Sequence, residues 1–458
     1  MTDTRLRLLT FNCWGLKYVS KFRTERVRAI ANVLASSDYD IITLQELWVY
    51  ADFEYVRAVV SKKLPYAKFF YSGALGAGLV IFSRFPIIAA TIHPYSLNGS
   101  PIDVVAGDWF VGKAAASIVF AHPLLGQVQV FNTHLFAKGG DEGPEHQRAH
   151  RLVNAWEFAK LARQASGLGR YVICAGDFNS VPWTLPMNII RDHAGLTDAW
   201  VTTHPDVPDP SPTNPPTPHD AIRVHGVTAD SPLNSYSAGK RLEPLARKFQ
   251  GKRLDYVFYR QPASPPASGR TPILRPVDTR VVLTERVPGC PYSFSDHFGL
   301  EATFVIEAQH GGDVTDSGNI DIPAPATMRR ESSFVAASQT NPEPAIDMDV
   351  SPESITQALV SLTARYRFAH SQGRLQVMIF FTSLFVLIGI IIASAWFPFW
   401  LNPVFTIISI ALAWLATTML YIGFVYGNWE VNALTNIIEE LELYRAALQG
   451  RQSSPTIR

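Results

Sequence analysis

The chain has 458 residues, a net charge of +1 and a pI near 7.8, long enough for a large core and more than one unit. So weak a charge gives no global electrostatic reason to bind a polyanion, which weighs against a dedicated nucleic-acid partner. Cys13, Cys174 and Cys290 are odd in number, far apart and unlike any zinc spacing, as expected of reduced thiols facing the cytosol. The opening residues Met1 to Arg7 lack a secretory apolar core, so no cleaved signal is expected and the N-terminal part should fold in the cytosol.

From Leu6 to about Glu307 short apolar runs alternate with Gly, Pro and Asn turns. The pattern predicts strands at Leu6–Cys13, Ile41–Gln45, Leu79–Ser83, Ser117–Phe120, Val128–Thr133, Tyr171–Ala175, Tyr256–Tyr259 and Leu300–Ile306. Helices are predicted at Thr24–Leu34, Phe53–Leu64 and Pro144–Gln164, with polar faces read as solvated. Prolines crowd His204 to Asp220, a stretch expected to be a mobile surface insertion. Residues 1–307 are thus expected to form a catalytic domain of mixed α/β type, and 308–352, rich in Ser, Thr, Pro and acids, a disordered linker.

A juxtamembrane segment, 353–374, leads into two uncharged apolar runs, 375–396 and 403–426, each long enough to cross about 30 Å of hydrocarbon as a helix. They predict a transmembrane hairpin over 375–427, followed by a cytosolic tail, 428–458. Arg365, Arg367 and Arg374 precede the first run and Arg445 and Arg451 follow the second, whereas the link between the runs has no Lys or Arg. The positive-inside rule then keeps both ends cytosolic, with the endoplasmic reticulum or another internal membrane as the expected location. Trp396, Trp400 and Trp429 suit interfacial positions, and the spans also offer a surface for pairing chains.

Five segments carry the chemistry. Leu9-Thr10-Phe11-Asn12 and Ile41-Ile42-Thr43-Leu44-Gln45-Glu46 are apolar strands that end in Asn12 and Glu46. Phe131-Asn132-Thr133-His134 ends in an imidazole. Tyr171-Val172-Ile173-Cys174-Ala175-Gly176-Asp177-Phe178-Asn179 brings Asp177 and Asn179 to one face of an extended chain, where they can hold a metal, water or phosphate oxygen. Ser295-Asp296-His297 adds a carboxylate beside a group that moves protons near neutral pH. Glu46 with Asp177 supplies the hard oxygen ligands that Mg²⁺ prefers, although Asp-x-Asn also occurs in ordinary turns and a lone His is commonly a core residue.

This set, in this order, resembles the endonuclease/exonuclease/phosphatase superfamily over residues 6 to about 307. The resemblance implies a four-layer sandwich of two stacked mixed β-sheets flanked by helices. It also implies Mg²⁺, with Mn²⁺ as an alternative, bound chiefly by Glu46 with Asn12 and Asp296 nearby. Asp177 and Asn179 would orient water and hold a phosphate oxygen. His297 would be the general base, its tautomer fixed by Asp255 in the Leu254-Asp255-Tyr256 segment, and His134 would bind the phosphoryl oxygen, with acid and base open between the two histidines.

Gly107-Asp108-Trp109-Phe110-Val111-Gly112-Lys113-Ala114 matches seven positions of a phosphate-binding loop, but Ala114 lacks the hydroxyl that would ligate Mg²⁺. It is similar instead to an element of the neutral sphingomyelinase and fungal inositol phosphosphingolipid phospholipase C family. By that resemblance Asp108 and Lys113 engage substrate and activation; a solvent-facing turn is the plainer alternative. The same family carries a C-terminal pair of spans. The expectation is therefore a Mg²⁺-dependent phospholipase C that cleaves phosphosphingolipids to ceramide at the cytosolic face. Anionic phospholipid would activate it, and Arg365, Arg367 and Arg374 either bind that lipid or only set topology. The alternatives are a membrane-tethered nuclease or inositol phosphate phosphatase, and a non-catalytic lipid sensor.

Overall fold

Twelve strands form the framework: β1 (Arg5–Asn12), β2 (Ile41–Gln45), β3 (Tyr66–Phe70), β4 (Leu79–Ser83), β5 (Ile87–Pro94), β6 (Ala114–His122), β7 (Gly126–His134), β8 (Tyr171–Asp177), β9 (Thr197–Asp198), β10 (Asp255–Arg260), β11 (Ile273–Val282) and β12 (Gly299–Glu307). The computed structural model describes residues 4–104, 107–138, 145–207, 215–263, 271–307 and 350–453. Two six-stranded sheets result, ordered β11-β12-β1-β2-β4-β3 and β5-β6-β7-β8-β10-β9. All eight predicted strands are present, and the four that the apolar pattern missed are the four sheet edges. Edge strands face solvent along one side and carry polar residues, so their alternation is blurred. In β11, for example, Arg275, Asp278 and Arg280 are all exposed.

Alternate side chains of β1, β12, β7 and β8, among them Leu6, Leu8, Phe304, Val130 and Ile173, fill the space between the sheets. The opposite face of the first sheet is covered by the helices Arg23–Ser36 and Tyr50–Val60, through Val27, Ile30, Leu34, Phe53 and Val56. The second sheet is covered by Glu145–Gly167 and Leu185–Ala194, through Trp156, Phe158 and Met187. The four-layer sandwich is thus as expected.

The C-terminal helices add a further layer. Pro352–Ala393 is one continuous helix, N-capped by the Ser351 hydroxyl, which accepts from the Ser354 amide at 3.1 Å. Its buried residues Ile355, Leu359 and Leu362, together with Leu434, Ile437 and Leu441 of the helix Gly427–Ser453, join the core cluster of Val153 and Trp156. The outer face of Glu145–Gly167 is therefore packed, not solvated as the sequence suggested. Protein replaces water there because the partners lie about 200 residues or more downstream. Val350, the first described residue after Glu307, is 1% exposed and belongs to the same core cluster; 308–349 and, in the proline-rich stretch, 208–214 lie outside the described residues.

Beyond this docked base two helical stretches, Pro352–Trp396 and Phe399–Gly450, are long and apolar enough to cross a membrane, and only 6% of the most apolar window of the first is buried. Phe381, Phe385, Ile391, Ile407 and Trp414 point outward, as lipid-facing residues must. The helices cross closely at Gly373 and Gly423, where a Cβ on Gly423 would lie 2.8 Å from Gln376 Cβ and 3.0 Å from the Gly373 carbonyl.

Candidate active site

Strand register assembles the site. In the parallel pair β7 and β8, His134 lies opposite Asp177, and in the antiparallel pair β8 and β10, Asp177 lies opposite Asp255. In the other sheet β1 and β2 run parallel with Asn12 opposite Gln45, which puts Glu46 one residue past the strand end. His297 sits two residues before β12. Residues distant in sequence therefore converge at one end of both sheets.

The turns that follow are forced. Glu46 and Asn179 have positive φ, 57° and 47°, a conformation that costs a non-glycine residue about 1–3 kcal/mol and that recurs at functional sites. Gly176 has φ 144°, and a Cβ there would lie 2.1 Å from the Thr133 carbonyl oxygen, so only glycine lets β8 approach β7 this closely.

Asn12 Nδ2 bridges two carboxylates, donating to Glu46 Oε1 at 3.1 Å and to Asp177 Oδ2 at 3.0 Å. Asp177 Oδ1 accepts from the Asn179 amide at 2.9 Å. His297 Nδ1 lies 2.9 Å from Asp255 Oδ2, and its Nε2 is 3.8 Å from Asp177 Oδ2. His134 Nε2 is 3.4 Å from Asp177 Oδ2 and 2.6 Å from Lys113 Nζ. An ammonium only donates, so Nε2 of His134 accepts and its proton resides on Nδ1. Lys113 Nζ is also 3.5 Å from Asp108 Oδ1. With Asp108 and Lys113 only 7% and 3% exposed, the solvent-facing turn is ruled out. Nor is the segment a nucleotide loop: strand β6 follows Gly112 and Lys113, where a nucleotide loop would open a helix, and the one helical turn, Asp108–Val111, lies inside the segment.

The electrostatics are those of crowded carboxylates. Burial pushes the Glu46 carboxyl up and the neighbouring Asp296 pushes it further; burial also raises Asp177 and Asp296. Burial would lower His297, but Asp255, Asp177 and Asp296 outweigh it and hold the imidazole well above its ordinary range. His134 is held well below that range, by burial first and then by Lys113. Asp255 Oδ1 is buried with no hydrogen-bond partner among the described residues. Ligand atoms of Asp177, Asp255 and His297 all lie within 4.8 Å of one another. Such an excess of hard oxygen donors fits a divalent cation. Because Asp255 is engaged by His297, the donors better disposed to hold it are Glu46, Asp177 and Asp296.

Sequence reasoning missed the supporting residues, which carry no motif. Arg26, fully buried, donates to the carbonyls of Cys13, Trp14 and Phe294 at 2.8, 2.7 and 3.0 Å, tying the Asn12 turn to the Asp296 segment. Arg151 donates to the Asn179 carbonyl and so braces the strained turn. Gln45 Nε2 donates to Asn132 Oδ1 at 2.7 Å, and Asn132 Nδ2 to the carbonyls of Leu44 and Val80, which locks the two sheets beneath the site. Of the three arginines considered for lipid binding, Arg367 and Arg374 are exposed. Arg365 instead faces inward: its Nε donates to buried Glu430 at 2.5 Å, so a lipid head group would have to break an ion pair to reach it.

Comparisons with known proteins agree with this geometry. Residues 9–297 match the endonuclease/exonuclease/phosphatase family. Over 440 residues the chain is 36% identical to an inositol phosphosphingolipids phospholipase C of Schizosaccharomyces pombe, covering 95% of this chain and 93% of that one. The Saccharomyces cerevisiae protein of the same name is 29% identical over 462 residues, 95% and 89% of the two chains. Sphingomyelin phosphodiesterase 2 of Homo sapiens is 35% identical over 257 residues, 56% of each chain.

Proposed function

The chain belongs to the endonuclease/exonuclease/phosphatase family and is a phosphoric diester hydrolase, and we propose that it is a Mg²⁺-dependent phospholipase C that splits phosphosphingolipids into ceramide and a phosphorylated head group at the cytosolic membrane face. The observation that carries this reading is the meeting of Asn12, Glu46, His134, Asp177, Asn179 and the Asp255–His297 pair at one end of the two sheets. Similarity to the Schizosaccharomyces pombe protein covers 95% of this chain, spans included, which makes an inositol phosphate head group the first expectation and phosphocholine the second.

Mg²⁺, or Mn²⁺ in its place, would be held by Glu46 with Asp177, Asn12 and Asp296, and when bound would neutralise charge on the non-bridging and leaving oxygens of the phosphate. The carboxylates that hold His297 charged include Asp177 and Asp296, whose charge a bound cation would offset; in the neutral imidazole Asp255 accepts from Nδ1, which leaves Nε2 to take the proton of the attacking water. The water oxygen bonds to phosphorus, the bond from phosphorus to the ceramide oxygen breaks, and that oxygen takes up a proton. Asp177 and Asn179 orient the water and a phosphate oxygen. Lys113, an ammonium backed by neutral His134, offers charge to the phosphoryl group.

Arg367 and Arg374 before the first span, and Arg445 and Arg451 after the second, support cytosolic ends for the hairpin and so a site facing the cytosol. The test is ceramide release by purified full-length protein from inositol phosphorylceramide and from sphingomyelin, in anionic-lipid mixed micelles with Mg²⁺. Release from either is expected, with a rate lowered about 10³-fold or more by Glu46→Ala, Asp177→Ala or His297→Ala. No release from both would refute the assignment.

A further inference from the structure

Resting on that reading, we propose that the C-terminal helix is a positioning element of the active site as well as an anchor: Tyr426, Trp429 and Glu430, acting with His150, hold the Ser96–Gly99 loop, and this loop sets Lys113 against His134. The contacts form a continuous chain. Trp429 Nε1 donates to the Ser96 carbonyl at 3.2 Å, and the Tyr426 hydroxyl donates to the Gly99 carbonyl. The Gly99 amide donates to His150 Nδ1 at 2.8 Å, which places the imidazole proton on Nε2, 2.8 Å from Glu430 Oε1. Arg365 holds that carboxylate from the other side. His150 and Glu430 are 2% and 3% exposed, so water cannot take over these bonds.

Between Ser96 and Gly99 lies Asn98, whose Nδ2 donates to the Lys113 carbonyl at 3.1 Å and to the Tyr95 carbonyl at 3.0 Å. Lys113 then reaches His134 at 2.6 Å. The loop has little slack: Gly99 has φ 93°, and a Cβ there would meet Phe136 at 3.0 Å. Glu157 and Asn154 hold Ser96 and Leu97 from within the catalytic domain, so this half of the loop has partners outside the helix. Both backbone polar groups of Gly99, by contrast, depend on Tyr426 and on His150, itself held by Glu430. Displacement of an active-site group by about 1 Å costs on the order of 100-fold in rate.

The experiment uses the full-length protein with Tyr426→Phe and Glu430→Gln, read by amide hydrogen exchange over residues 95–113, by kcat and KM for inositol phosphorylceramide in mixed micelles, and by vesicle flotation. Faster exchange at 96–99, a kcat lowered about 10- to 100-fold, an unchanged KM and intact flotation are expected. If Glu430→Gln unfolds the interface, Tyr426→Phe, which removes a single hydroxyl, and Trp429→Phe, at an exposed position, still decide the matter. Unchanged exchange in these variants, or a loss confined to KM or flotation, overturns the proposal. Exchange needs no substrate, so a wild type inactive on every phosphosphingolipid would sink the functional reading alone.

Discussion

Asp255→Asn isolates the orientation of the proposed base from its presence. The carboxylate and the His297 imidazole are 2.9 Å apart, and a full charge pair at that distance is worth roughly 6 kcal/mol at an effective dielectric of about 20. The variant removes this attraction but leaves the size of the side chain. An amide can also donate to Nδ1, which would move the imidazole proton to Nε2 and block it as an acceptor, so kcat should fall by about 10² to 10⁴. The pH dependence has a definite sign. Asp255 is the largest of the influences that raise His297, so without it the imidazole gives up its proton more readily and the acid limb of kcat/KM moves to lower pH. Stability follows the same linkage: a His raised in the folded state stabilises below its unfolded pKa, and that contribution is lost as pH rises through the folded value. The wild type's advantage over the variant should therefore be largest in acid and shrink toward alkaline pH. Ceramide release across pH and urea unfolding at two pH values measure both. A rate within tenfold of wild type together with an unmoved acid limb would refute the assignment of Asp255 and His297.

Mg²⁺ at 100 times its dissociation constant should add about 2.7 kcal/mol to folding stability. The rise in melting midpoint should vanish in Glu46→Gln, and an equal rise in both proteins would move the cation elsewhere. It should also weaken in acid, where the raised Glu46 carboxyl takes up a proton. Gly176→Ala should cost on the order of 3 kcal/mol or more, from a Cβ placed 2.1 Å from the Thr133 oxygen, and a denaturant midpoint near wild type would show that β7 and β8 can separate. Neutralising Arg367 and Arg374 together should weaken binding to anionic vesicles by roughly 2 kcal/mol at low salt, read by sedimentation, and unaltered binding would leave these residues a role in topology alone.

Much of the site was legible because its residues end apolar strands. Asn12, Glu46, His134 and Asp177 each follow an unbroken run of core residues, and a polar group there is conspicuous. The eight interior strands were legible for the same reason, since burial on both faces keeps them apolar. Edge strands β3, β5, β9 and β11 were not, because solvent tolerates polar residues along them. Arg26 and Arg151 were also invisible: a buried guanidinium that satisfies loop carbonyls leaves no pattern, because its partners are backbone atoms brought near only by folding.

By itself the sequence determined the interior strands, the polar residues at their ends and the paired apolar spans, all of which follow from local composition and strand period, while the stacking of those strands into two sheets was implied by the family resemblance. Only the tertiary structure decided that Arg365 turns inward to Glu430, that Asp108 and Lys113 are buried against His134, and that the helices on either side of the spans pack on Glu145–Gly167. Those contacts join residues up to several hundred positions apart. Hydrophobic burial and the need to pair buried charges select them, and neither is expressed until the chain has closed on itself.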